Sequence, residues 1–186
     1  MGILDQQLRT IAALLEEADV TAAPTITCHC DGDLSIELLA SDMLPLADQR
    51  SMVDRIAAAL GAIPSVKPLF ENQYAVVCEG YRDGLLIIAS THAGTPRPAA
   101  PQPTTASSGT VTFIHSILSW AQNVAPVIQS LVVRGTSGSH GLTVGVASAK
   151  DAEAVVAGLV PEAPRGRRLR ALLPTGHPVT VWVLTT

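Results

Sequence analysis

Cys28-His29-Cys30 is the densest grouping of metal-ligand types in the chain, since two thiols and an imidazole are donors that suit zinc or iron. The local pattern argues against that chemistry. Ile26, Cys28 and Cys30 alternate with polar neighbours, and alternate residues of a strand point to opposite faces, so His29 is expected to face away from both thiols. Small thiols beside Ile26 read as core packing, with Cys78 as the neighbour that would revive a metal site. No metal or cofactor is assigned.

Nucleophilic catalysis needs a Ser or Cys, a base and an orienting carboxylate within mutual reach. His29, His92, His115, His140 and His177 fall on strands, at a helix start and in turns, with no G-x-S-x-G or H-E-x-x-H pattern beside them. They read as surface residues. Asp31 and Asp33 flank Gly32 in a turn, where aspartate is favoured for local hydrogen bonding, and a carboxylate dyad has no support there. Residues 135–141 are glycine-rich and could offer amide groups to an anion, but they lack a P-loop lysine and join two strands. A hairpin loop is expected, and no catalytic residue is assigned.

Arg165, Arg167, Arg168 and Arg170 form the one concentrated basic run. Four guanidinium groups so close could grip phosphates or a carboxylate-rich protein. Aromatic residues tip the choice, because RNA-binding sheets stack bases on rings and this half offers only Trp182 on its sheet. These arginines are assigned to partner binding, with protein favoured over nucleic acid.

The elements that must carry these residues follow a repeated order. Leu4, Leu8, Ile11 and Leu15 form a helical stripe. A hairpin around residues 31–33 follows, then a helix with Asp48 as cap, Met52, Val53, Ile56 and Leu60 inward and Gly61 as its stop. Strands near 74–80 and 85–90 are joined by Asp83-Gly84, a pair suited to a tight turn. The second half runs likewise: a helix with Ile114, Ile117, Leu118, Ala121 and Val124, a hairpin over 130–134 and 142–146, a helix capped by Ser148, and strands over 168–173 and 179–184. Between the halves lies a Pro- and Thr/Ser-rich stretch.

The expected fold class is α+β, with two tandem αββαββ modules. Each is read as a four-stranded antiparallel sheet covered by two helices, a permuted ferredoxin-like arrangement. The boundaries are 1–93 for the first module, 94–110 for the linker and 111–186 for the second module.

Composition narrows the function classes. The chain has 186 residues, 47% hydrophobic and 15% charged, with a net charge of −4, which is incompatible with global disorder. No apolar run approaches the roughly 18 residues of a membrane span, and the amino terminus reads as amphipathic rather than as a signal peptide, so a cytoplasmic or particle-incorporated protein is expected. Three cysteines without a secretory spacing fit reduced thiols. Charge is unevenly spread: residues 1–93 carry 13 acidic and 5 basic residues, whereas residues 111–186 carry 3 acidic and 6 basic. That asymmetry favours docking of one half on the other through opposite charge, either within a chain or head-to-tail between chains.

An excess of arginine over lysine, together with VDRIAAALG at 53–61 and GYRDGLLIIASTH at 80–92, resembles small uncharacterised α/β proteins of actinobacteria or their phages. The resemblance covers about the first ninety residues and implies no activity or site residues. The leading expectation is a non-enzymatic protein-binding or assembly module, including a phage or particle component. Nucleic-acid binding through the arginine run is the alternative, and a ligand-binding or enzymatic cleft between the modules is the third reading.

Overall fold

The structure, a computed structural model, describes residues 2–20, 22–30, 34–70, 73–92, 108–136, 139–162 and 168–184. The first half runs α1 (Ile3–Glu17), β1 (Thr25–His29), β2 (Ser35–Leu39), α2 (Leu46–Leu60), β3 (Ser65–Phe70), β4 (Gln73–Arg82) and β5 (Leu85–Ser90). The second runs α3 (Ser108–Val124), a short 3-10 turn (Ala125–Val127), β6 (Ile128–Thr136), β7 (Ser139–Val146), α4 (Ala149–Val156), β8 (Val160–Pro161), β9 (Leu169–Leu172) and β10 (Pro178–Val183).

The expected pair of separate four-stranded antiparallel sheets is replaced by one mixed, ten-stranded sheet in the order β3-β4-β5-β2-β1-β6-β7-β10-β9-β8. Three departures account for the change. Antiparallel pairing of β1 with β6 joins the halves edge to edge. The chain returns through α2 or α4 to place β5 parallel to β2 and β10 parallel to β7. An extra strand, β3 or β8, borders each end. Strand order is thus palindromic about the β1–β6 seam, and the antiparallel central pair is the arrangement a two-fold normal to the sheet would require.

Residue alternation explains why all four described helices share one face. Two apolar rows cross the six central strands without a break: Ile87, Ile36, Cys28, Leu131, Val144 and Val181 lie in one, and Ala89, Leu38, Ile26, Val133, Leu142 and Val179 in the other. These side chains are essentially inaccessible and form one continuous core with the apolar faces of α1 to α4. Helix α2 rests on β4 and β5, α4 on β7, β9 and β10, and α1 packs on α3 over the seam. At the seam, Ile26 meets Val133 and Cys28 meets Leu131, so apolar packing and backbone pairing join the halves there rather than opposite charge.

Local chemistry sets the element ends. Asp83 (φ 53°) and Gly84 (φ 78°) both take positive φ, as a tight hairpin turn requires. Gly61 closes α2 in the left-handed conformation, but α2 begins after Pro45, which moves Asp48 from the cap into the first turn. Ser148 caps α4 by accepting from the Asp151 amide at 3.2 Å, while its hydroxyl donates to the Asp151 carboxylate at 2.7 Å. Residues 108–110, expected in the linker, form the first turn of α3. The rest of that segment, 94–107, lies outside the described residues, as do Asp31, Asp33, Arg165 and Arg167.

A candidate interaction surface on the open sheet face

The rows between the two apolar ones point away from the helices. One carries Glu79, Ile88, Glu37, Thr27, Val132, Thr143, Thr180 and Arg170, each paired to the next across eight strands. A second holds Tyr81, Leu86 and Ser35 on the first half, in line with His29, Ser130, Gly145 and Trp182 across the seam. Tyr81 is 73% exposed and Trp182 38%, which places uncovered aromatic surface toward both ends of one row. Between them the face is built mainly of Thr, Ser, Val, Leu and Ile, with Glu37 and His29 as its titratable side chains near the centre.

Charge on this face is polarised. Glu79 pairs with Lys67 at the first-half end, and Glu37 lies 3.6 Å from His29 Nε2 nearer the centre. On the second half the Arg168 guanidinium stacks 3.6 Å from the centroid of the Trp182 ring, and Arg170 lies 4.0 Å from Glu162. Glu79 and Arg170 occupy equivalent positions, opposite Ile88 and Thr180, so the two halves carry opposite charge at the same place in the fold. Of the four predicted arginines, the structure thus places Arg168 and Arg170 together on the open face.

The cysteines do not assemble. Cys28 is buried and faces the core, Cys30 donates to Gln7 Oε1 at 3.4 Å, and His29 points to the other face. Cys78 lies on β4, with β5 and β2 between it and β1, so it is not the neighbour that a shared metal would need. Burial pushes the Cys28 thiol well above the ordinary range, with the nearby Cys30 adding to the shift, and burial likewise raises Cys78. Among the described residues no group of three or more His, Cys, Asp or Glu side chains could hold a metal ion.

Two internal polar clusters escaped sequence reasoning. Gln7, fully buried on α1, donates to the carbonyl oxygens of His29 (2.7 Å) and Ser35 (3.3 Å), bracing the turn end of the first hairpin. In the other half Phe113 of α3 lies beneath the second hairpin, stacked on His140 at 5.0 Å and edge-on to His177 at 4.7 Å. His140 Nε2 is 3.1 Å from the Thr110 hydroxyl. Burial lowers the His140 pKa, and His177 lowers it further. The only available signal was a helix start earlier than residue 111, which brings Thr110 and Phe113 onto one turn. His92 and His115 stand apart, the first with its backbone amide bonded to Gln49 Oε1 and the second 3.7 Å from Glu16.

A shallow depression on the helix side is lined by Gln6, Arg9, Thr10, Ala13 and Asp83. Its polar groups are mostly engaged with one another: Thr10 donates to the Asp83 carboxylate at 2.9 Å and Gln6 to the Asp83 carbonyl at 2.9 Å. No described helix is long and apolar enough to cross a membrane. Compared with protein-family models, curated proteins and solved structures, the chain matches none.

Proposed function

We propose that this protein is a non-enzymatic protein-binding or assembly module that works through its open sheet face. The observation that carries the reading is a sheet covered by helices on one side and lined on the other by exposed Tyr81 and Trp182 and half-buried Leu86, Ile88 and Val132. A wide uncovered sheet face with apolar side chains is the kind of surface that partners cover. The strand orders β4-β5-β2-β1 and β9-β10-β7-β6 match those of a permuted ferredoxin-like unit with an added edge strand, whereas the parallel β2–β5 and β7–β10 pairs depart from its antiparallel sheet, and the palindrome supports an internal repeat. The proposed setting is the cytoplasm or a phage or protein particle, and the phage reading rests on the resemblance of segments 53–61 and 80–92.

Affinity capture with the intact chain tests the role of the face. Proteins retained by the parent, second copies included, are expected to be retained by Arg50→Glu on the exposed side of α2. They are expected to be lost by the double variant Ile88→Arg/Thr143→Arg at the sheet centre. Retention of the same partners by a folded double variant would overturn the reading.

Nucleic-acid binding is the second reading, favoured by Arg170 and the Trp182-stacked Arg168 on one face. It requires binding to single-stranded oligonucleotides that falls steeply with salt and weakens in Arg168→Ala. Salt-independent binding, or none, would remove it.

A further inference from the structure

We propose that the occupant of the open face is a second copy of this chain. The two sheets pack face to face about a two-fold axis that runs parallel to the strands along the β1–β6 seam. The inference rests on the open-face reading above and adds the identity of the partner.

The choice of axis follows from the charges. An in-plane axis parallel to the strands keeps each row at its height and exchanges the halves, so β4 of one copy faces β9 of the other. Glu79 then meets Arg170 of the second copy, and both lie in the same row. In the next row Tyr81 meets Arg168 and Leu86 meets Trp182, pairing ring with cation and apolar side chain with ring. An in-plane axis across the strands would instead set Glu79 against Glu79 and Arg170 against Arg170. Like charges opposed in this way select against that arrangement.

The local ion pairs extend the match. Lys67 beside Glu79 and Glu162 beside Arg170 become the outer members of an alternating Lys-Glu-Arg-Glu series at each end of the interface. Face-to-face sheets pack about 10 Å apart, a gap that glutamate and arginine side chains can bridge from opposite sides. Eight strands at roughly 4.8 Å spacing and five residues at roughly 3.4 Å each give a face on the order of 650 Å² per copy. That approaches the roughly 800 Å² per partner of a standard stable interface.

Light scattering and sedimentation of the full chain decide the matter. At low salt the parent is expected at twice the chain mass, dissociating as salt rises. Glu79→Arg alone and Arg170→Glu alone are each expected to weaken association by about tenfold or more, because opposite charges across the interface become like charges. Circular dichroism would verify that both variants are folded.

An equimolar mixture of the two variants is expected to recover the two-copy species, since each contact in the mixed pair is again complementary. Within one chain Glu79 and Arg170 lie on β4 and β9 with six strands between them, so recovery cannot arise intramolecularly. Ile88→Arg, which leaves the terminal ion pairs intact, is expected to abolish association. A parent that is monomeric at every salt and concentration overturns the proposal, and so does a mixture that stays monomeric. A species whose mass grows without limit overturns it too, because it indicates an open head-to-tail series. A monomer that nevertheless captures partners through the open face overturns the second copy as occupant while leaving the open-face reading intact.

Discussion

Asp5 is a buried carboxylate on α1, accepting from Gln122 of α3 at 2.9 Å and from Arg9 one turn along at 3.1 Å. The Gln122 hydrogen bond lowers its pKa below the ordinary 3.8 against the opposing effect of burial, with Arg9 assisting. The folded state therefore favours the ionised form, and this contribution is present above about pH 4 and lost as pH falls through the lowered folded value. Asp5→Ala is expected to cost about 1–3 kcal/mol in urea unfolding at pH 7, because it strands the Gln122 amide; an unchanged midpoint would refute that role. His140 acts at higher pH. Its folded pKa lies below the ordinary 6.5, owing first to burial and then to His177, so the unfolded chain binds the proton more readily. Stability from this group is complete above pH 6.5 and declines as pH drops through that value toward the lowered folded one. His140→Phe, if it folds, is expected to flatten the fall in the urea midpoint between pH 8 and pH 5. An equal slope in parent and variant would show that the proton is taken up elsewhere. Sequence alternation made the opposite facings of Cys28 and His29 legible, but it could not reveal Asp5 or His140, whose partners lie on elements remote in the chain.

At the scale of elements, the principal helices, the hairpins and the glycine stop of α2 were legible because each has a local signature: an apolar period, an Asp-Gly turn or a capping serine. The edge strands β3 and β8 were not. Ser65–Phe70 contains Lys67 and Pro68 and shows no alternation, and proline and lysine are features that sheets tolerate at an unpaired border. The parallel contacts of β2 with β5 and β7 with β10 were also hidden, since periodicity reports which face a strand buries and says nothing about its lateral neighbour. Register makes one glycine critical. A Cβ at Gly145 would lie 2.5 Å from the Ser130 hydroxyl oxygen and 3.1 Å from the Leu184 side chain, so the open face admits no side chain there. Gly145→Ala is expected to destabilise by about 1–3 kcal/mol through overpacking. Ser130→Ala in the same chain is expected to return part of the loss by removing the nearest atom. Thermal unfolding of the single and double variants measures the coupling, and strictly additive effects would place the strain elsewhere.

The whole molecule is where the two-module reading and the structure differ most. The order of elements and the contrast in charge between the halves were visible in the sequence, and the described fold preserves both. Their seam was not visible, because β1 and β6 carry the same apolar alternation as other strands and nothing local marks their edges as complementary. Pairing them satisfies backbone groups that separate sheets would leave at two open edges, and it lets α1 and α3 close one core across the junction. A shared core implies shared stability. Ile36 is fully buried in the first half, whereas both tryptophans, Trp120 and Trp182, belong to the second, so their fluorescence reports on the half that Ile36 does not occupy. Ile36→Ala is expected to remove about 2–5 kcal/mol, the usual range for truncating a buried isoleucine. If the halves unfold together, the tryptophan-detected urea midpoint falls with the far-ultraviolet circular dichroism midpoint. A tryptophan transition that stays at the parent midpoint while half the dichroism is lost earlier would show that the continuous sheet does not couple the two halves.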